Sequence, residues 1–149
     1  MAERKLTYES LHHKAEGGFL VKAPSLERLY IDAALALTDQ WVKLDLILED
    51  HKRALTVKGA TREILMVAWL NELMQLFVNH RFISKRITFQ KFDGKEIHAS
   101  LFGEVYTPLK HGTVLRFKAV TEPQVQLGEI HAAELQFFAR IGLIAEAKK

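Results

Sequence analysis

The sequence predicts an α+β fold in which an antiparallel sheet is packed by two main helices. Three observations carry that expectation. The stretch Thr61–Phe82, TREILMVAWLNELMQLFVNHRF, has no Gly or Pro and is dense in helix formers. Several other segments alternate apolar and polar residues with the period of a half-buried strand. Asp93-Gly94 stands between two of them, a hairpin-turn signature.

Taken in order, Leu6–Leu11 and Phe19–Ala23 read as extended, separated by the polar turn His12–Gly18 with its Gly17-Gly18 pair. Pro24-Ser25 opens a first helix, with Ser25 as N-cap and Glu27 at the positive end of the dipole. Leu26, Leu29, Tyr30, Ala33, Ala34, Leu37 and Trp41 recur at helical spacing, so this helix is expected to be amphipathic. Leu44, Leu46 and Leu48 then alternate with Asp45, Ile47 and Glu49, which predicts a strand. Asp50–Arg53 is its expected turn and Ala54–Lys58 its hairpin partner.

Thr61 caps the long helix and Glu63 suits its first turn. At 100° per residue its apolar side chains fill an arc of about 220°, against about 100° for an ordinary surface helix. The helix is therefore expected to be the spine of the core. Its narrow polar strip holds Asn71, Glu72, Gln75 and Asn79, shared with Ile64 and Ala68. Arg86–Phe92 and Glu96–Phe102 form the hairpin around Asp93-Gly94, and Val105–Gly112 reads as a loop. Val114–Val120 is a strand ended by Glu122-Pro123, Val125–Leu127 a short one, Gly128–Ala132 a turn, and Leu135–Ile144 the last strand. The order strand, helix, hairpin thus occurs twice, as in an internal duplication of topology, within a single domain over residues 1–149.

Composition narrows the function classes. Hydrophobic residues make up 48% of the 149 and charged residues 26%, the profile of a soluble globular protein. The absence of cysteine excludes disulfides, thiolate metal sites and cysteine nucleophiles, and suits a reducing cytosol. MAERKLTYES lacks an apolar signal region, and no apolar run approaches the ~20 residues of a membrane span, so a cytoplasmic location without membrane contact is expected. The net charge of +3 is spread over short clusters and reads as a solvated surface.

Catalytic motifs are scarce. There is no phosphate-binding Gly-rich loop, no G-x-S-x-G and no H-E-x-x-H. His12, His13 and Glu16 form the best metal-type cluster, since imidazole and carboxylate suit transition metals, but they make only part of a shell. Alternation turns Lys118 away from Phe117 and Ala119 toward solvent, Glu72 reads as a solvated helix edge, and His111 as ordinary loop chemistry. These residues predict a fold and no reaction.

Three ordered motifs carry a family resemblance. Ser25-Leu26-Glu27-Arg28-Leu29-Tyr30-Ile31-Asp32-Ala33-Ala34-Leu35 resembles the S-L-E-E-L-F-x-N-A-A-L helix of the archease family. Trp69-Leu70-Asn71-Glu72-Leu73, followed by Leu76-Phe77 and Phe82, resembles its W-L-N-E-L helix, and Phe117-Lys118-Ala119-Val120-Thr121 its V-K-A-V-T strand. His13-Lys14-Ala15-Glu16 occupies the place of its H-T-A-D motif. The resemblance implies a small cytosolic protein that is not an enzyme. It implies an activator of the GTP-dependent tRNA-splicing RNA ligase, promoting guanylylation and turnover of that partner, with only an indirect link to tRNA. By position, Glu16 would take the place of the motif's Asp near a divalent metal, calcium or manganese. Lys118 would be the functional lysine and Glu72 the helix-borne acid, with His13 beside them.

The sequence departs from the pattern in places. Glu16 is a methylene longer than Asp, Lys14 replaces Thr, and Ala68 replaces an acid before W-L-N-E. Glu122-Pro123 stands for Tyr-His, and the chain ends R-I-G-L-I-A-E-A-K-K where the family has F-D-I or F-D-V, leaving Glu146 as the nearest acid. Two other readings stay open beside the activator. One is an interaction or chaperone-like module that has lost the metal site; the other is a metal-dependent hydrolase built on His12, His13 and Glu16.

Overall fold

The computed structural model describes residues 8–10, 18–112, 117–119, 125–131, 134–142 and 144–145. In chain order the elements are β1 (Tyr8–Ser10), β2 (Gly18–Ala23), α1 (Leu26–Trp41), a 3-10 turn (Leu44–Leu46), β3 (His51–Lys58) and α2 (Arg62–His80). Then come β4 (Phe82–Phe92), β5 (Glu96–Val105), α3 (Pro108–His111), β6 (Phe117–Ala119), β7 (Val125–His131), β8 (Leu135–Gly142) and β9 (Ile144–Ala145). The α+β class holds, and every strand pairing among the described residues is antiparallel. The strands fall into three sheets, ordered β1-β2-β8-β7, β3-β5-β4 and β6-β9.

The helix ends follow their local chemistry. Ser25 accepts from the Arg28 N–H at 3.1 Å and Thr61 from the Ile64 N–H at 3.1 Å, each satisfying a donor that the first turn leaves without a partner. Helix α2 stops two residues before the expected Phe82 because Arg81 takes a left-handed conformation (φ 57°) and donates its N–H back to Leu76 and Phe77. That reversal turns the chain straight into β4.

Both long helices touch both larger sheets: α1 packs on β2 and β8 as well as β4, and α2 on β7 as well as β3 and β4. On α2 the buried positions Leu65, Met66, Trp69, Leu70, Leu73, Met74 and Phe77 span about 180° at 100° per residue. Ile64 and Val78 stay exposed. Trp69 has no exposed surface, donates its indole N–H to the Tyr30 carbonyl at 2.8 Å and meets Phe89 edge-on at 5.5 Å. The more enclosed helix is α1, where every residue from Leu29 to Thr38 is buried. The amphipathic reading of α1 is therefore corrected. Ala33, Ala34 and Ala36 leave room for close neighbours, Asp32 pairs with Arg28 at 3.0 Å, and Thr38 donates to the Ala34 carbonyl at 3.0 Å.

The first expected hairpin is absent, so the strand-helix-hairpin order is complete only once, in the half built on α2. Leu44–Leu46 is a 3-10 turn started by Asp39, whose carboxylate accepts the Leu44 N–H at 3.0 Å. Ile47 is the residue driven into the core, with Leu44 partly buried against it, while Asp45, Leu46, Leu48 and Glu49 are exposed, so neither face of the expected strand is buried as a row. Asp50–Arg53 is not a turn, because β3 begins at His51 and pairs over its whole length with β5, from His51↔Gly103 to Lys58↔Glu96. At the far end, β7 continues through the expected Gly128–Ala132 turn to His131, with Gly128 leaving space for the Phe138 ring. The second hairpin is as expected. Asp93 Oδ1 accepts the N–H groups of Lys95 and Glu96, and Gly94 supplies the positive φ of 85°.

Candidate functional site

Strand register decides which distant segments meet. β2 begins at Gly18, opposite Gly142 of β8. Gly18 has φ 150°, and a Cβ there would overlap the Ile141 carbonyl oxygen, so a side chain is excluded where the two strands meet. Just beyond Gly142, Ile144 and Ala145 form β9, which pairs with β6 through Ala119 and Phe117. One stretch of chain, β8 running into β9, is thus flanked by the start of β2 and by the strand that carries Lys118. In sequence Glu16 stands two residues before Gly18. Glu16, His12, His13 and Glu146 lie outside the described residues, and for Lys118 only the backbone is described. Glu72 is exposed on α2, beside Asn71 and Gln75 on the expected polar strip. Among the described residues no three His, Asp or Glu side chains stand together as a metal-binding group.

A second cluster was not expected from the sequence. Glu104, near the end of β5, is 7% exposed. Lys110 donates to both of its carboxylate oxygens at 2.8 Å, the Leu48 N–H donates to Oε2 at 2.8 Å, and His111 Nε2 lies 3.1 Å from Oε2. Burial pushes this carboxyl's pKa up. The ammonium, the amide and the imidazole outweigh that penalty and hold it at about 2. The His111 side chain is fully buried. Its ring stacks on Tyr106 at 5.6 Å, and its Nδ1 lies 3.0 Å from the Thr107 nitrogen and 3.1 Å from the Thr107 oxygen. The loop reading of His111 is corrected: it closes the short helix α3, with Pro108 in the first turn and Tyr106 donating to the Gly112 carbonyl. Pro108 at the helix start was the only local signal. This cluster ties the Leu44–Leu48 segment to the chain that leads on toward β6. The buried groups of the cluster, Glu104 and the His111 ring, are hydrogen-bonded to other parts of the fold, which marks it as a support.

The comparisons with known proteins bear on the same segments. Residues 8–138 match the family model described as the archease protein family (MTH1598/TM1083). The chain is 33% identical to the protein archease of Pyrobaculum neutrophilum over 110 residues, covering 71% of this chain and 75% of that protein. It is 30% identical to the protein archease of Methanosarcina mazei over 129 residues, covering 80% and 85%. Two solved structures share the fold. The solution structure of Methanobacterium thermoautotrophicum protein 1598 superposes with a TM-score of 0.65 at 23% identity, covering 92% of this chain and 97% of that one. The crystal structure described as an archease and possible chaperone from Thermotoga maritima gives 0.59 at 17% identity, covering 97% and 99%. With the motifs on α1, α2 and β6 lying inside the matched span, the chain belongs to the archease family.

Proposed function

We propose that this protein is a non-catalytic activator of a GTP-dependent tRNA-splicing RNA ligase, promoting guanylylation and turnover of that enzyme in the cytoplasm. Family membership carries the reading, together with the Phe117–Thr121 motif that places Lys118 on β6, beside the β8–β9 stretch. In this reading Lys118 steadies a phosphate or carboxylate of the partner by a charge-assisted hydrogen bond. Glu16 contributes an oxygen ligand to a divalent cation, calcium or manganese, with His13 beside it. Glu72, exposed on α2, lies at the rim of the contact. RNA chemistry remains with the ligase.

The experiment is a ligase guanylylation assay with the purified protein at several calcium and manganese concentrations. Acceleration that Lys118→Ala and Glu16→Ala each reduce at least tenfold is the expected result. A ligase that neither binds the protein nor speeds up at any metal concentration would overturn the reading. A second reading, an interaction or chaperone-like module, is favoured by the description of the Thermotoga maritima relative as a possible chaperone. It predicts suppression of a client's aggregation that survives Glu16→Ala and needs no metal.

A further inference from the structure

We propose that the outer face of the β3-β5-β4 sheet binds single-stranded nucleic acid. Strand alternation divides this sheet cleanly. Leu55 and Val57, with their cross-strand partners Ala99 and Ile97, line the core side together with Leu101, Ile87 and Phe89. The opposite side chains of β3, Lys52, Ala54, Thr56 and Lys58, are all exposed. Across from them on β5 stand Phe102, Ser100, His98 and Glu96, and on β4 the row continues with Arg86, Thr88 and Lys91.

Three features of this face suit a nucleic-acid strand. Arg86 lies over the Phe102 ring at 4.0 Å and Lys52 approaches the same ring at 5.7 Å. Glu49 holds the Arg86 Nε at 2.8 Å, yet 45% of the arginine side chain remains exposed. A guanidinium so fixed is a flat cationic platform on which a base stacks, with Lys52 beside it for phosphate. Next to the platform lies a small polar floor, the exposed Gln90 and Thr56 with half-buried Thr88: buried Ser100 donates to Gln90 at 3.2 Å, and Gln90 donates to Thr88 at 3.4 Å. Such groups meet base edges; none is a large aliphatic anchor of the kind that centres a protein interface. Finally, Lys58 and Lys91 form a second cationic end around Glu96, at 3.9 Å and 2.8 Å. Lys52 and Lys58 are six strand positions apart, about 20 Å. Four cations against the two carboxylates Glu49 and Glu96 leave the face positive, the complement of a phosphate backbone. None of Glu16, His13, Lys118 or Glu72 belongs to these strands, so the inference stands apart from the ligase reading.

Fluorescence polarisation with a labelled single-stranded uridine 12-mer, its deoxy counterpart and an RNA duplex tests it. Both single strands are expected to bind more tightly than the duplex, and their relative affinity tells RNA from DNA as the preferred source. Binding should weaken roughly 20-fold between roughly 50 and 200 mM salt, as for about three neutralised phosphates. The double variant Lys52→Glu/Lys58→Glu should lose at least tenfold in affinity while keeping a cooperative thermal melt, its midpoint lowered by the loss of the Lys58–Glu96 pair. A control of equal charge, Lys22→Glu/Lys43→Glu, should stay within about twofold. Three results would overturn the proposal: no saturable binding at low salt, equal losses in face and control variants, or polyglutamate competing as well as RNA, which would assign the face to an acidic protein segment.

Discussion

The ammonium of Lys110 sits 2.8 Å from both carboxylate oxygens of Glu104, and the two residues come from different elements, α3 and β5. Leu48 and His111 complete the shell. A buried carboxylate is tolerated only when its oxygens are satisfied in this way, so the group reports directly on whether α3 and the Leu44–Leu48 segment are docked.

Glu104 makes the fold acid-sensitive in a defined window. Its folded pKa of about 2 lies below the ordinary value of about 4.3 expected in the unfolded chain. The stabilisation is complete above the unfolded value and is lost as pH falls from about 5 toward 2. Glu104→Gln is expected to lower stability at pH 7 by about 2–4 kcal/mol. Denaturant titrations of both proteins should show the gap closing with acid. A gap that stays constant down to pH 3 would mean that the carboxylate charge is irrelevant.

His111 has one tautomer when neutral. An ionised carboxylate only accepts, so the proton sits on Nε2, facing Glu104, and Nδ1 takes the Thr107 N–H. When charged, the ring donates to the Thr107 carbonyl instead, with no movement of the ring required. Long-range proton–nitrogen NMR spectra should show the Nε2–H tautomer of the neutral ring, and an Nδ1–H tautomer would overturn this arrangement. His111→Phe, which keeps the stack on Tyr106 but removes both hydrogen bonds, is expected to cost about 1–3 kcal/mol.

The segment after α1 distinguishes the observed face from the one the leucines suggest. Ile47 is 2% exposed, whereas Leu46 and Leu48 are 46% and 57% exposed. Ile47→Ala should therefore destabilise by about 2–4 kcal/mol. Leu46→Ala and Leu48→Ala should each change stability by less than about 0.5 kcal/mol. Chemical denaturation of the three variants separates the two arrangements, and the reverse ranking would restore the strand with leucines inward.

Local rules were legible wherever both partners of an interaction lie within a few residues. Ser25 and Thr61 cap their helices through N–H groups three residues on, and Asp93-Gly94 closes its hairpin through Lys95 and Glu96. Leu44–Leu48 misled because five alternating residues read as a strand, whereas the Asp39 carboxylate starts a 3-10 turn there and Ile47 alone of the five is buried. Gly128 misled for a related reason: its missing side chain makes room for the Phe138 ring on the neighbouring strand, where the sequence suggested a turn.

For the candidate site, the sequence motifs named Glu16, His13, Lys118 and Glu72 through a family pattern, and periodicity alone assigned none of them a role. Register then showed that β2 and β6 flank one continuous stretch, β8 into β9. Glu104 carried no signal in the sequence, and His111 read there as ordinary loop chemistry. Their partners are Leu48, from a segment 56 residues away from Glu104, and Lys110, which an exposed-loop reading leaves in solvent.

By itself, the sequence determined two capped helices, a central hairpin, the α+β class and the motifs of the archease family, because capping, turn chemistry and apolar period act over short separations. Tertiary structure alone decided that β3 pairs with β5 and not with its neighbour, that α1 is enclosed on all sides, and that Glu104 is a buried, satisfied carboxylate. It also decided that Phe102, Arg86 and Lys52 share one open face. The physical reason is common to all four. Each depends on contacts between residues far apart in the chain, where burial and pairing are won by whichever surface the packed helices leave available.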